Sequence, residues 1–206
     1  MERNMRIAVF GSTGGTGAYV IREAIARGHD VTAFARRPEA LAEMTGLAEV
    51  VQGDARDVDA ASKAIAGQDV VIVTVSGRGQ PDVVRDVSRA VTVAMGSLGV
   101  SRLVATSAYG LVATRPLVLA GLVRRIFAKP FSDQLAADHV IQATDLTWTI
   151  ARATRLTSAK GMTPPRISTE LFRTGPYSLG RARWADVLLD LAQDGGFERH
   201  IVNVTG

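Results

Sequence analysis

The stretch from Arg6 to Gly28 limits what this chain can fold into more than any other. Arg6-Ile7-Ala8-Val9-Phe10 is a short apolar run of strand type. It stops at Gly11-Ser12-Thr13-Gly14-Gly15-Thr16-Gly17, after which Val20, Ile21, Ala24 and Ile25 recur at helical spacing. Strand, glycine turn and helix in that order are the setting that a dinucleotide-binding turn requires. Gly11 allows a tight exit from the strand, Gly14 lets backbone approach a pyrophosphate, and Gly17 lets the helix pack hard on the sheet. The helix then points its unpaired N–H groups and positive dipole end at the phosphates. Thr13, Gly15 and Thr16 complete this candidate cofactor-binding turn. A P-loop is excluded, because it needs Lys-Ser or Lys-Thr after its last glycine and Ala18-Tyr19 stand there.

The next strand, Asp30 to Ala35, carries the cofactor type. Enzymes that take NAD on this architecture place an acid near the end of that strand, where it holds the ribose 2′-OH. Here Arg36-Arg37-Pro38 follow instead. A carboxylate would repel a 2′-phosphate, whereas a guanidinium forks onto it, so this pair predicts NADP(H).

Alternation of strands and helices continues down the chain. Glu39 to Gly46 is expected as a short helix and Ala48 to Gln52 as strand three. Asp54 follows at a place where an acid can accept the adenine amino protons, and Asp57 is placed as the cap of a helix over Val58–Ala66. Val70 to Val75 is a near-continuous β-branched run, as in parallel strands buried on both faces. Ser76, Gly77 and Arg78 open the loop at its carboxyl end, where ligands sit in open α/β sheets. Arg78 is read either as a contact to pyrophosphate or substrate or as a solvated charge. Asp82 to Leu98 is the clearest helix, with Val83, Val84, Val87, Ala90, Val91, Ala94, Met95 and Leu98 on one face. Arg102 to Thr106 is strand five, Leu146 to Arg152 strand six, Ile167 to Phe172 a short strand, Arg183 to Leu191 the last helix and Ile201 to Val204 the final strand. This rhythm implies one doubly wound α/β (Rossmann) domain over residues 1–206, with a mostly parallel sheet of strand order 3-2-1-4-5-6 and a small C-terminal substrate-side segment.

Composition removes several alternatives. No run approaches the roughly 18 apolar residues of a membrane span, and Met1 to Met5 has no apolar segment of signal-peptide type, so a cytoplasmic location is expected. There is no cysteine, and His29, His139 and His200 have no ligand spacing, so no metal site is expected. The net charge of +4 comes from arginines scattered among acids, without the basic stripe and stacking aromatics of a nucleic-acid binder. One stretch is basic and amphipathic. Leu119, Leu122, Val123, Ile126 and Phe127 alternate with Arg115, Arg124, Arg125 and Lys129. It fits a lid over the substrate site or a subunit interface better than a membrane surface.

The G-x-x-G-x-x-G spacing resembles the extended and atypical short-chain dehydrogenase/reductases. Ile7–Gly17, Phe34–Pro38, Val50–Asp54, Ala66–Gly77, Thr106–Tyr109 and Leu146–Arg152 together resemble the biliverdin reductase B/flavin reductase group, and more widely the NmrA-like NAD(P)H-binding proteins. The resemblance implies an NADPH-dependent reductase with a planar ring docked over the nicotinamide. It places Thr106 with the cofactor and Ser107 beside the nicotinamide, as the candidate catalytic residue; the other reading of Ser107 is a hydroxyl capping a strand end. Tyr109 either lines the ring site or packs, and Arg155 stands where the group has a histidine. The departures matter too. Tyr109 is followed four residues on by Ala113, so Tyr-x-x-x-Lys is absent. Gln134 and Asp138 occupy the places of a family Lys-x-x-x-Glu, Pro130 that of a tyrosine, and Ala153-Thr154 that of Pro-Gly or Pro-Pro. Carbonyl reduction with a tyrosine acid is therefore disfavoured.

The residues thus point to an NADP(H)-dependent oxidoreductase passing hydride to a flavin, quinone or similar conjugated ring, acting as a monomer or homodimer. The alternative is a non-catalytic NADP(H) sensor that acts through a protein partner. An isomerase or epimerase that retains its cofactor is disfavoured by the same missing tyrosine.

Overall fold

The structure is a computed structural model that describes residues 4–77, 80–113, 125, 128–158 and 164–206. Arg78, Arg115, Leu119, Leu122, Val123, Arg124, Ile126 and Phe127 lie outside the described residues.

Strand β1 (Arg6–Phe10) shows why the first run is wholly apolar. Ile7 and Val9 enter one core and Ala8 and Phe10 the other, all fully buried. The same two-faced alternation holds in β4 (Val70–Val73) and in β5 (Arg102–Ala108). Helices α1 (Gly17–Ala26) and α5 (Arg181–Asp194) cover the first face. Helices α2 (Val58–Ile65), α3 (Val83–Leu98) and α4 (Ala128–Gln142) lie on the second. Each fully buried Ile or Leu contributes about 1.5–3 kcal/mol.

The main sheet runs β3-β2-β1-β4-β5-β6-β10-β8, with β2 at Asp30–Ala35, β3 at Glu49–Gln52, β6 at Thr147–Ala153, β8 at Arg166–Ser168 and β10 at His200–Thr205. Its first six members have the expected order 3-2-1-4-5-6 and are parallel; β8 is antiparallel to β10. The order reverses between β1 and β4, and a crevice opens there at the carboxyl ends. A second, two-stranded sheet pairs β7 (Arg155–Thr157) with β9 (Ser178–Gly180), and sequence patterning did not foresee it.

Several expected boundaries shift. The helix expected over Glu39–Gly46 is only a 3-10 turn, Pro38–Leu41, since a segment this short cannot sustain helix without packing. The strand expected over Ile167–Phe172 ends at Ser168, whose hydroxyl accepts from the Glu170 amide and turns the chain. Leu98 was expected on the inward face of α3 but is 42% exposed; the chain turns at Gly99 and buries Val100 instead.

Two helix starts differ in a way that positions the site. Asp57 caps α2 by accepting from Asp59 and Ala60 amides, as expected. Asp82 does not cap α3: its backbone is left-handed, and buried Asp133 of α4 instead accepts from the amides of Val84 and Arg85 at 3.0 Å each. The positive end of α3 is therefore already neutralised from within the protein, while that of α1 meets no such carboxylate among the described residues.

Candidate active site

The glycine turn is locked by sterics and by two hydroxyls. A Cβ at Gly11 would stand 2.8 Å from Thr74 Oγ1, and φ there is +86°. A Cβ at Gly17 would stand 2.2 Å from the Gly11 carbonyl oxygen, so only glycine lets α1 start this close to β1. Buried Ser12 donates to the Val9 carbonyl at 2.7 Å, and Thr74 donates to the Phe10 carbonyl at 3.0 Å. Thr74 was not singled out in sequence; the only signal was its place at the end of a β-branched run. The amides of Gly15, Thr16 and Gly17 meet no acceptor among the described residues. Thr16, at the helix start, makes no side-chain cap, and the first turn of α1 has no acid. An uncapped helix start with unpaired amides is the arrangement that accommodates an anion.

A groove crosses the carboxyl ends of β3, β2, β1 and β4. It brings together Gly11, Thr13, Gly14, Arg36, Arg37, Asp54, Ser76 and Gly77, all expected on the cofactor. Arg36 and Arg37 are exposed at the end of β2, next to the groove floor of Phe34 and Ala35. Asp54 is gripped by Arg56, with Nη2 to Oδ2 at 2.6 Å and Nε to Oδ1 at 3.0 Å. The hydrogen bonds from Arg56, and the more distant charge of Arg36, hold the Asp54 carboxyl down at about 2. Arg56 lines the groove as well and went unremarked in sequence, although it stands only two residues beyond Asp54.

The substrate-side residues are arranged differently. Thr106, Ser107, Tyr109 and Arg155 are not among the residues lining that groove. Ser107 is 8% exposed and donates to Asp138 Oδ2 at 3.0 Å. The same oxygen receives Arg152 Nη2 at 3.0 Å, and Gln134 Nε2 reaches the other oxygen at 3.4 Å and the Thr106 carbonyl at 3.3 Å. Asp138 is 1% exposed, and burial pushes its carboxyl above the usual range against the pull of Arg152 and Ser107. The two positions read as departures from a Lys-x-x-x-Glu pair therefore build one buried network with Ser107. Tyr109 is 4% exposed and packs on Phe172, its hydroxyl accepting the Phe172 amide at 2.9 Å. Of the two roles open to it, packing is the one its surroundings supply. Arg155 is exposed on β7.

Residues 11–195 match a family described as NAD(P)H-binding. The chain belongs to that NAD(P)H-binding family. Its fold is shared with a short-chain dehydrogenase/reductase from Veillonella parvula, at TM-score 0.84 and 16% identity over 98% of this chain and 94% of that one. A second short-chain dehydrogenase/reductase from that organism, solved with NADP, matches at TM-score 0.83 and 18% identity over 99% and 95%. ChuY, an anaerobillin reductase from Escherichia coli O157:H7, matches at TM-score 0.83 and 21% identity over 97% and 96%. This NAD(P)H-binding chain thus has the fold of these three structures. The residues present fit a nicotinamide dinucleotide. The cradle at Gly11, Gly14 and Gly17 is one that side chains would fill, and free amides and arginines surround it. Among the described residues, no helix is long and apolar enough to cross a membrane.

Proposed function

We propose that this NAD(P)H-binding protein is an NADP(H)-dependent reductase that passes hydride to a conjugated ring of flavin or quinone type. The observation that carries the cofactor choice is electrostatic. Arg36 and Arg37 stand at the end of β2, and the only carboxylate among the groove's described lining residues is Asp54, which Arg56 already neutralises. A 2′-phosphate meets guanidinium there and no free acid. Gly11, Gly14 and Gly17 with the α1 amides would hold the pyrophosphate, Arg36 with Arg37 the 2′-phosphate, and Asp54 the adenine edge; Ser76, Gly77 and Thr106 would flank the rest.

When bound, reduced nicotinamide supplies the hydride. The chain's part is to hold donor and acceptor rings in register, which removes the entropic cost of bringing them together. Ser107, with its proton donated to Asp138, would orient a ring group through its lone pairs and is not set to act as an acid. The single proton that completes ring reduction after the hydride then comes from solvent. ChuY, an anaerobillin reductase of this fold, is a precedent for reductase use of the architecture.

The test is to mix purified protein with NADPH and follow the cofactor's near-ultraviolet absorbance, with and without FMN and a panel of quinones. Acceptor-dependent oxidation that a Gly14→Asp control lacks supports the reductase. Saturable NADPH binding without oxidation by any acceptor moves the assignment to the NADP(H) sensor. Absence of binding removes both.

A further inference from the structure

The G-x-x-G-x-x-G spacing accounts for Gly11, Gly14 and Gly17 but gives no reason for a glycine at position 15. Gly15 has no positive φ to demand one. Its neighbour supplies the reason. A Cβ there would stand 3.3 Å from Arg181 Nε and 3.8 Å from its Cδ, so the Arg181 side chain lies directly against the middle of the turn.

Arg181 reaches this position from the far end of the chain. Strand β9 pairs with β7 and ends at Gly180, which starts α5. Arg181 is the first residue of that helix. Among the described residues it has no hydrogen bond and no ion pair, although it is partly buried. The acids of α5 that face α1 are already engaged, since Arg27 binds Asp190 at 2.6 Å and Asp186 at 3.6 Å. Gly180 makes no side-chain cap and the first turn of α5 has no acid, as at α1. The Arg181 guanidinium, which has no counter-charge among the described residues, thus lies beside the free amides of Gly15 and Thr16 at the uncapped start of α1, and the helix that carries it is uncapped as well. Each helix start adds roughly half a positive charge. A partly buried cation without a counter-charge is unfavourable unless an anion completes it.

We propose that Arg181 is a phosphate-binding residue of the cofactor site, reaching the pyrophosphate from α5 across Gly15. This rests on the reading of the groove as an NADP(H) site. It assigns the C-terminal segment a direct part in cofactor binding, and it makes Gly15 the space that admits the guanidinium.

Calorimetric titration with NADP⁺ and, separately, with adenosine 2′-monophosphate tests it, because the second ligand carries the 2′-phosphate and no pyrophosphate. Arg181→Met keeps the apolar stem and removes the charge. It is expected to weaken NADP⁺ by at least about tenfold and to leave the monophosphate within about twofold of wild type. The salt dependence of NADP⁺ binding should fall as well, and Arg181→Lys should recover part of the loss. Unchanged NADP⁺ affinity in Arg181→Met would show a packing residue and overturn the proposal. Equal loss for both ligands would also overturn it, because the effect would then come from the fold. If wild type binds neither ligand, the NADP(H) reading itself fails and the proposal falls with it.

Discussion

Asp138 Oδ2 accepts the Ser107 hydroxyl at 3.0 Å and the Arg152 guanidinium at the same distance, 1% exposed beneath the carboxyl end of β5. A buried ion pair of this kind is fragile to removal of one partner. Asp138→Asn leaves Arg152 without a counter-charge and is expected to lower stability by about 3 kcal/mol in denaturant titration. The pH dependence has a definite sign. Burial raises the native carboxyl above its ordinary 3.8, so the folded protein holds that proton more tightly than the unfolded chain. The contribution of Asp138 to stability is greatest below 3.8 and is lost as pH rises through the raised native value. Asp138→Asn should remove that component from the stability–pH curve. An unchanged curve would mean that Asp138 is not protonated over that interval.

Arg36→Ala isolates the 2′-phosphate contact. NADPH affinity should fall by at least about tenfold while NADH affinity stays nearly constant, measured by quenching of intrinsic fluorescence. Equal affinity of wild type and variant for NADPH would assign Arg36 to solvent and leave Arg37 as the candidate.

Asp54 titrates at about 2 because Arg56 hydrogen-bonds it. A depressed carboxyl stabilises above its unfolded value of 3.8, and that gain is lost as pH falls toward 2. The pair is substantially exposed, so solvent screening leaves it only a small contribution to stability. In Arg56→Ala the Asp54 carboxyl should move back toward 3.8 in carboxyl-carbon NMR. If it stays near 2, Arg36 is the controlling charge.

Tyr109→Phe removes the hydroxyl that both accepts the Phe172 amide and donates to the Phe172 carbonyl at 3.3 Å. Stability should drop by about 1–2 kcal/mol, with NADP⁺ affinity unchanged. A change in ring-acceptor turnover without a stability loss would return Tyr109 to the substrate site.

The alternation of Ile7, Val9 and Ala8, Phe10 between two cores follows from strand geometry, so the β-branched and apolar runs announced a sheet covered on both faces. Gly11 and Gly17 were readable for a related reason, since their constraints come from backbone within one strand–turn–helix unit and its neighbour Thr74. That Arg36 and Arg37 would stand at the groove was readable from their distance to that unit. These features repeat at short range, and short-range periodicity is what a single sequence carries. The inward face of α4 is different. It carries Asp133 and Asp138 where patterning expects apolar residues, and each is stabilised by a partner on another element: the α3 amides for one, Ser107 and Arg152 for the other. The β7–β9 pair, the antiparallel β8 and the contact of Arg181 with Gly15 are likewise pairings between distant segments. A hydrogen bond or ion pair depends on where two groups end up in space, and residue type and spacing do not encode that until the chain has packed.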